Sequence, residues 1–180
     1  MIFNQLFDDK SSTYTYIISS GKGREALIID PVIEHTKKYI KILKDLELKL
    51  VKVIDTHIHA DHISGLNELN KQTECTRIMG EESESEVIDL RVKENEKVKI
   101  EELELTTLYT PGHTKCSYSY LMNDRVFTGD TLLINGTGRT DFQGGSAMEQ
   151  YDSIFNKLLK LPNKTLVYPA HDYNGKKFST

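Results

Sequence analysis

Disulfides, linkers and a surplus of positive charge are all missing from this 180-residue sequence. Its two cysteines, Cys75 and Cys116, form neither a CxxC pair nor a cystine framework, which points to a reducing, intracellular setting. Lysine and arginine number 23 against 27 aspartates and glutamates, a net charge of −4. With no basic stripe and no polybasic amphipathic segment, neither nucleic acid nor a membrane surface is expected as a partner. No apolar run approaches the roughly 20 residues of a membrane span. The start, MIFNQLFDDK, has neither a charged leader nor a long apolar core and turns acidic too early for a transit peptide, so a cytoplasmic location is expected. There is no low-complexity tract, internal repeat or interdomain linker, and the length suits one domain, 1–180, with a substantial core.

What is present reads as many strands and few helices. Residues 3–7, 13–19 (TYTYIIS) and 25–30 (EALIID) read as an antiparallel meander, with Asp30-Pro31 stopping the third strand. Tyr39, Ile42, Leu43 and Leu46 repeat as one face of a helix. A strand through Val51, Val53 and Ile54 follows, then a short helix over 65–72 and a strand over 76–80. The acidic stretch 81–96, with EESESE at its start, predicts an exposed loop or helix with little chemistry. Strands over 98–100 and 103–109 precede a hairpin, 118–122 and 125–128, that turns at Asn123-Asp124. Ser146 with Glu149 is a capping box opening a helix whose Tyr151, Ile154, Phe155, Leu158 and Leu159 form an apolar stripe; Leu161-Pro162 ends it before a last strand over 165–168. The packing this predicts is α/β, two sheets face to face with helices on their outer faces.

The chemistry concentrates in VKVIDTHIHADHISG, where a buried strand delivers His57, His59, Asp61 and His62 within six positions. Imidazole nitrogen and carboxylate oxygen are ligands for Zn(II), Fe(II) and Mn(II), and on an extended segment His57 and His59 face the same side. Further candidates stand at later strand ends: His113 in TPGHT, Asp130 in TGD and His171 in PAHDY. Five of the six histidines belong to this set, and strand-end loops converge most easily at one rim of a sandwich. His35 lies outside the pattern and reads as a surface histidine, and Cys116 as a buried, inert thiol.

HIHADH, the histidine of PGHT, the aspartate of TGD and a late histidine, in this order over the whole chain, resemble the metallo-β-lactamase superfamily. That resemblance implies the αββα sandwich of two mixed sheets covered by helices. FTGDTLLINGTGRTDFQGG and LVYPAHDYNG, with TYTYII and ALIIDPV, resemble the persulfide dioxygenases more closely than the related hydroxyacylglutathione hydrolases (glyoxalase II), where the GRTDF stretch differs and the last histidine is followed by Glu-Tyr. The diiron flavoproteins of the superfamily usually carry glutamate at the position of His59.

What the dioxygenase resemblance implies is one Fe(II) per chain held by His57, His113 and Asp130, with His59, Asp61, His62 and His171 around it or at a second metal site. The substrates would be glutathione persulfide and O2, the products sulfite and glutathione. Arg139 would grip a substrate carboxylate, or pair with Asp141, and the two roles are compatible; Tyr173 would donate to substrate or to a ligand, or simply pack. The hydrolase alternative would place His57, His59, His113 and Asp130 on one Zn, Fe or Mn ion and Asp61, His62, Asp130 and His171 on another. All of those residues are present, so ligand identity does not separate the readings. The sequence departs from the family at Cys116, often glycine there, and at Thr137, often cysteine; it also stops at Thr180, where relatives usually continue with a tail that could help close the site or a homodimer interface.

Overall fold

In the computed structural model, which describes residues 1–180, the chain forms two facing sheets. β1 (Ile2–Asp8), β2 (Thr13–Ser19), β3 (Glu25–Ile29), β4 (Lys49–Ile54), β5 (Thr76–Gly80) and β6 (Leu90–Val92) lie side by side in that order. β1, β2 and β3 are the expected antiparallel meander, and β3 through β6 run parallel. The second sheet orders β11 (Leu166–Pro169), β10 (Arg125–Gly129), β9 (Tyr118–Leu121), β8 (Leu103–Tyr109) and β7 (Lys97–Ile100). It is antiparallel except for the β10–β11 pair.

Strand alternation builds two cores from one sheet. In β2 every residue is buried, because both faces are covered. Tyr14, Tyr16 and Ile18 point into the core between the sheets with Leu27, Ile29, Ile54, Tyr120 and Phe127. Ile17 points the other way, with Ala26, Ile28 and Val53, against α1 (Thr36–Asp45) and α2 (Leu66–Thr73), which supply Tyr39, Leu43, Leu66 and Leu69. A fully buried isoleucine such as Ile17 or Ile18 contributes about 1.5–3 kcal/mol.

Two expectations change. The 81–96 segment holds no helix; it contains the edge strand β6, and Arg91 draws its loop in by donating to the carbonyls of Ser83 and Ser85. The helix after Ser146 is α3 (Ala147–Asp152), which runs into a wide turn over Ser153–Lys157 and a tight one over Leu158–Lys160. Ser146 caps it by accepting from the Glu149 N–H, as its sequence suggests. The apolar stripe, however, splits. Ile154 and Leu158 are buried, while Tyr151, Phe155 and Leu159 form a neighbouring exposed column.

Strand direction places the chemistry. The ladders make β8, β10 and β11 run the same way, so their C-terminal ends share one rim of the second sheet. In the first sheet the C-terminal ends of β3 and β4 lie beside the start of β2. His57, His113, Asp130 and His171 each follow one of these strand ends.

Candidate metal centre

Asp30 organises the loop after β4. It sits in the left-handed region at φ 50° just before Pro31, with its carboxylate buried. Its oxygens accept from the Thr56 backbone N–H at 2.7 Å and from the Thr56 hydroxyl at 3.0 Å, and one lies 3.2 Å from His59 Nε2. The Thr56 proton is therefore committed, so His57 Nδ1–H donates to Thr56 Oγ1 at 2.9 Å and its Nε2 keeps a lone pair. Gly129, at φ 53°, lets β10 close over this point: a Cβ there would stand 2.6 Å from Thr56 Oγ1.

The same logic fixes the other rings. His113 Nδ1 lies 2.7 Å from the Arg139 carbonyl, and His171 Nδ1 2.9 Å from the Ser12 carbonyl. A carbonyl only accepts, so both rings carry their proton on Nδ1 and present Nε2. His113 Nε2 is 3.4 Å from Asp130 Oδ2, His57 Nε2 is 3.9 Å from the same oxygen, and His171 Nε2 is 3.5 Å from Asp130 Oδ1. His57, His113 and Asp130 thus bring one donor atom each within 4.8 Å of one another. A second such group is His59, Asp61 and His62, and a third Asp30, Asp55 and His59; His171 falls in none of them.

Burial is the largest single influence on each of these groups, but it does not always win. It holds His57 well below the ordinary histidine value, reinforced by the four neighbouring imidazoles, so the ring stays neutral, as a ligand must. Burial raises Asp130 against the pull of His171, His113 and His59. It would lower His59 as well, but Asp30, Asp55 and Asp61 outweigh it and carry that ring up to about 9. Asp55 is pushed up to about 7 by burial, with His59 pulling the other way and Asp30 adding to the rise. For Asp61, burial is overcome by His62, His59 and His171, and the carboxyl falls well below the usual range.

Asp130 Oδ1, His59 Nδ1 and His62 Nε2 are buried and have no hydrogen-bond partner. Orphaned acceptors and imidazoles of this kind, beside a donor set of two imidazole nitrogens and one carboxylate oxygen, fit a divalent cation. An open cavity of about 380 Å³ lies over the group, lined by Asp61, His113, Asp130 and His171 and, at its mouth, by Arg139, Phe142, Gln143 and Tyr173. Arg139 grips Asp141 through two bonds of 2.8 and 3.0 Å, and its guanidinium stays exposed. Tyr173 is 72% exposed, its ring stacked parallel to His171.

Sequence reasoning passed over several residues here. His35 is not a free surface histidine; it is half-buried and its Nε2 bonds Asp8 at 2.7 Å. Asp30 announced itself only as a strand stop. Gln150, 4% exposed, donates from its amide to the Thr131 carbonyl at 2.9 Å and reaches Gly138 and Asp130 at 3.4 and 3.5 Å. No local pattern marks it, because its partners lie 12–20 residues away. Cys116 is buried, as expected.

Several known proteins are similar to this chain. A family described as the metallo-beta-lactamase superfamily matches residues 8–102 and 84–171. The mitochondrial persulfide dioxygenase of Mus musculus is 40% identical over 187 residues, covering all of this chain and 72% of its own length. The hydroxyacylglutathione hydrolase of Dictyostelium discoideum is 34% identical over 173 residues, covering 91% of this chain and 63% of its own. The crystal structure of ETHE1 from Myxococcus xanthus superposes with a TM-score of 0.97 at 46% identity, covering 99% of this chain and 79% of that one.

Proposed function

Since the chain belongs to the metallo-β-lactamase superfamily and, within it, to the persulfide dioxygenase family, we propose that it is an oxidoreductase that uses O2 to oxidise glutathione persulfide to sulfite and glutathione. The observation that carries this is the 40% identity to a persulfide dioxygenase across the whole chain, against 34% over a shorter span for the glutathione thioester hydrolase. The site geometry supports it. His57 Nε2, His113 Nε2 and Asp130 Oδ2 would hold one Fe(II) as a two-histidine, one-carboxylate face, leaving positions open towards the cavity. Iron would supply the redox chemistry between O2 and the persulfide sulfur.

The protein's own contribution is orientation. Thr56 and the Arg139 carbonyl lock the two imidazoles in the ligating tautomer. His59, held by Asp30, Asp55 and Asp61, would stand behind the triad and order it rather than join it. At the mouth, the exposed fork of Arg139 would take a glutathionyl carboxylate in exchange for Asp141, and the Tyr173 hydroxyl would donate beside it.

The test is anaerobic purification, elemental analysis, then oxygen uptake with glutathione persulfide compared with hydrolysis of S-lactoylglutathione. About one iron per chain and persulfide-dependent oxygen consumption are expected. Two metals per chain with thioester cleavage and no oxygen uptake would establish the hydrolase instead.

A further inference from the structure

One polar side chain at the mouth of the cavity is held at a cost that the fold does not explain. Arg139, Phe142 and Gln143 belong to one segment that walls the cavity. The segment is tied at both ends to the loop of His113: the Arg139 carbonyl accepts from His113 Nδ1, and the Ser146 N–H donates to the Gly112 carbonyl at 2.8 Å. Between these ties the chain makes a turn over 142–145, closed by the Gly145 N–H donating to the Phe142 carbonyl at 2.9 Å. Its two central residues, Gln143 at φ 51° and Gly144 at φ 70°, are both left-handed. Such a turn favours asparagine, aspartate or glycine, and a glutamine is strained in it. The side chain carries a second cost. Gln143 Oε1 is shielded from solvent and has no hydrogen-bond partner. A carboxamide oxygen taken out of water without a donor is destabilising. Gln150, in the helix that follows, shows the contrast, because its amide donates to the Thr131 carbonyl at 2.9 Å and helps hold the loops.

We propose that Gln143 is a specificity-determining residue whose carboxamide pairs with a peptide amide of the thiol substrate, Oε1 accepting the amide N–H and Nε2 donating to the amide carbonyl. This deepens the persulfide reading above and rests on it. Glutathione carries its sulfur on a residue flanked by two peptide amides, with a carboxylate at either end. The guanidinium of Arg139 suits a carboxylate and the carboxamide of Gln143 an amide, and both border the same cavity. The last torsion of a glutamine is soft, so the carboxamide turns to meet a donor without disturbing the strained turn beneath it. An arriving N–H removes the penalty on Oε1, so the pair discriminates more sharply than a bond to a group already solvated: a thiol without an amide leaves the oxygen orphaned. The substrate class is then the persulfide of a small peptide, not of a simple thiol acid.

The experiment compares two persulfides. Oxygen uptake is measured for wild type, Gln143→Gly and Gln143→Leu with glutathione persulfide and with the persulfide of 3-mercaptopropionate, which has a carboxylate and no amide; each protein is also melted and analysed for metal. In both variants KM for glutathione persulfide should rise roughly 10-fold with kcat changed much less, while KM for the amide-free persulfide stays at the wild-type value. Metal content should not move. Gln143→Gly suits the left-handed backbone and should melt no lower than wild type, so it carries the test if Gln143→Leu does not fold. A glutamine with a merely structural role would do the reverse, lowering the melting temperature and leaving KM alone. An unchanged KM for glutathione persulfide, or a rise shared equally by both persulfides, overturns the role of Gln143 and leaves the dioxygenase reading standing. No oxygen uptake by wild type with either persulfide overturns both.

Discussion

Asp130 is the side chain towards which His57, His113 and His171 all turn Nε2, and its Oδ1 has no hydrogen-bond partner. Removing a carboxylate from a three-donor site takes away its only anionic ligand. Asp130→Ala is therefore expected to lose metal and activity together, checked by elemental analysis and oxygen uptake on the same sample. Full activity in that variant would sink the triad. Asp8 acts on stability instead. Burial works against its charge, but Ser11 and His35 outweigh it and bring the carboxyl down to about 2, from an ordinary value of 3.8. A depressed carboxylate stabilises the fold above its unfolded value and loses that contribution as pH falls through its folded one. Asp8→Asn should thus cost up to about 2 kcal/mol at pH 6, and the gap to wild type should narrow between pH 4 and pH 2. Urea unfolding at pH 6 and pH 3 measures it; an equal gap at both would contradict the assignment.

The same separation between local pattern and distant partner governs the elements. β2 was legible in TYTYIIS because a strand buried on both faces needs only apolar and small polar residues, and α1 because Tyr39 and Leu43 repeat at helical spacing. The helix after Ser146 was legible at its cap and not along its length. Its buried column contains Gln150 and Ser153 as well as Ile154 and Leu158, since it packs on loop carbonyls as much as on apolar side chains. Ser153 donates to the Pro111 carbonyl at 2.7 Å, next to the loop of His113, while Gln150 reaches the loop of Asp130. Hydrophobic periodicity is blind to a face whose task is to satisfy carbonyls. Gln150→Leu keeps the bulk and removes the amide, so it should cost about 1–3 kcal/mol and weaken metal retention, read by melting temperature and by the chelator concentration that strips half the metal. Unchanged retention would mean that the loops of His113 and Asp130 are held without it. Gly138 belongs to the same contact, for a Cβ there would lie 2.5 Å from the Asp130 carbonyl and 2.8 Å from His113 Nδ1.

At the scale of the whole molecule, the site is a product of strand direction, and the rim leaves a cavity open over it. The HIHADH cluster, PGHT, TGD and AHDY could be ranked as ligands from sequence because each ends a strand; that His57, His113 and Asp130 would share one ion came from the family resemblance and not from the local pattern, because tautomer and orientation are set by Asp30, the Arg139 carbonyl and the Ser12 carbonyl, from elsewhere in the chain. The mouth is different again. Arg139 and Asp141 are both exposed and already paired, so the pair adds little to stability, and its guanidinium can be handed to a substrate carboxylate at small cost. A charge-assisted bond of about 1.5–3 kcal/mol, at 1.4 kcal/mol per tenfold, sets the expectation for Arg139→Ala: KM for glutathione persulfide should rise roughly 10- to 100-fold while kcat changes much less. A persulfide without carboxylates should be turned over equally by wild type and variant. An unchanged KM for glutathione persulfide would reduce Arg139 to the partner of Asp141, and carboxylate recognition would then have to come from another side of the cavity.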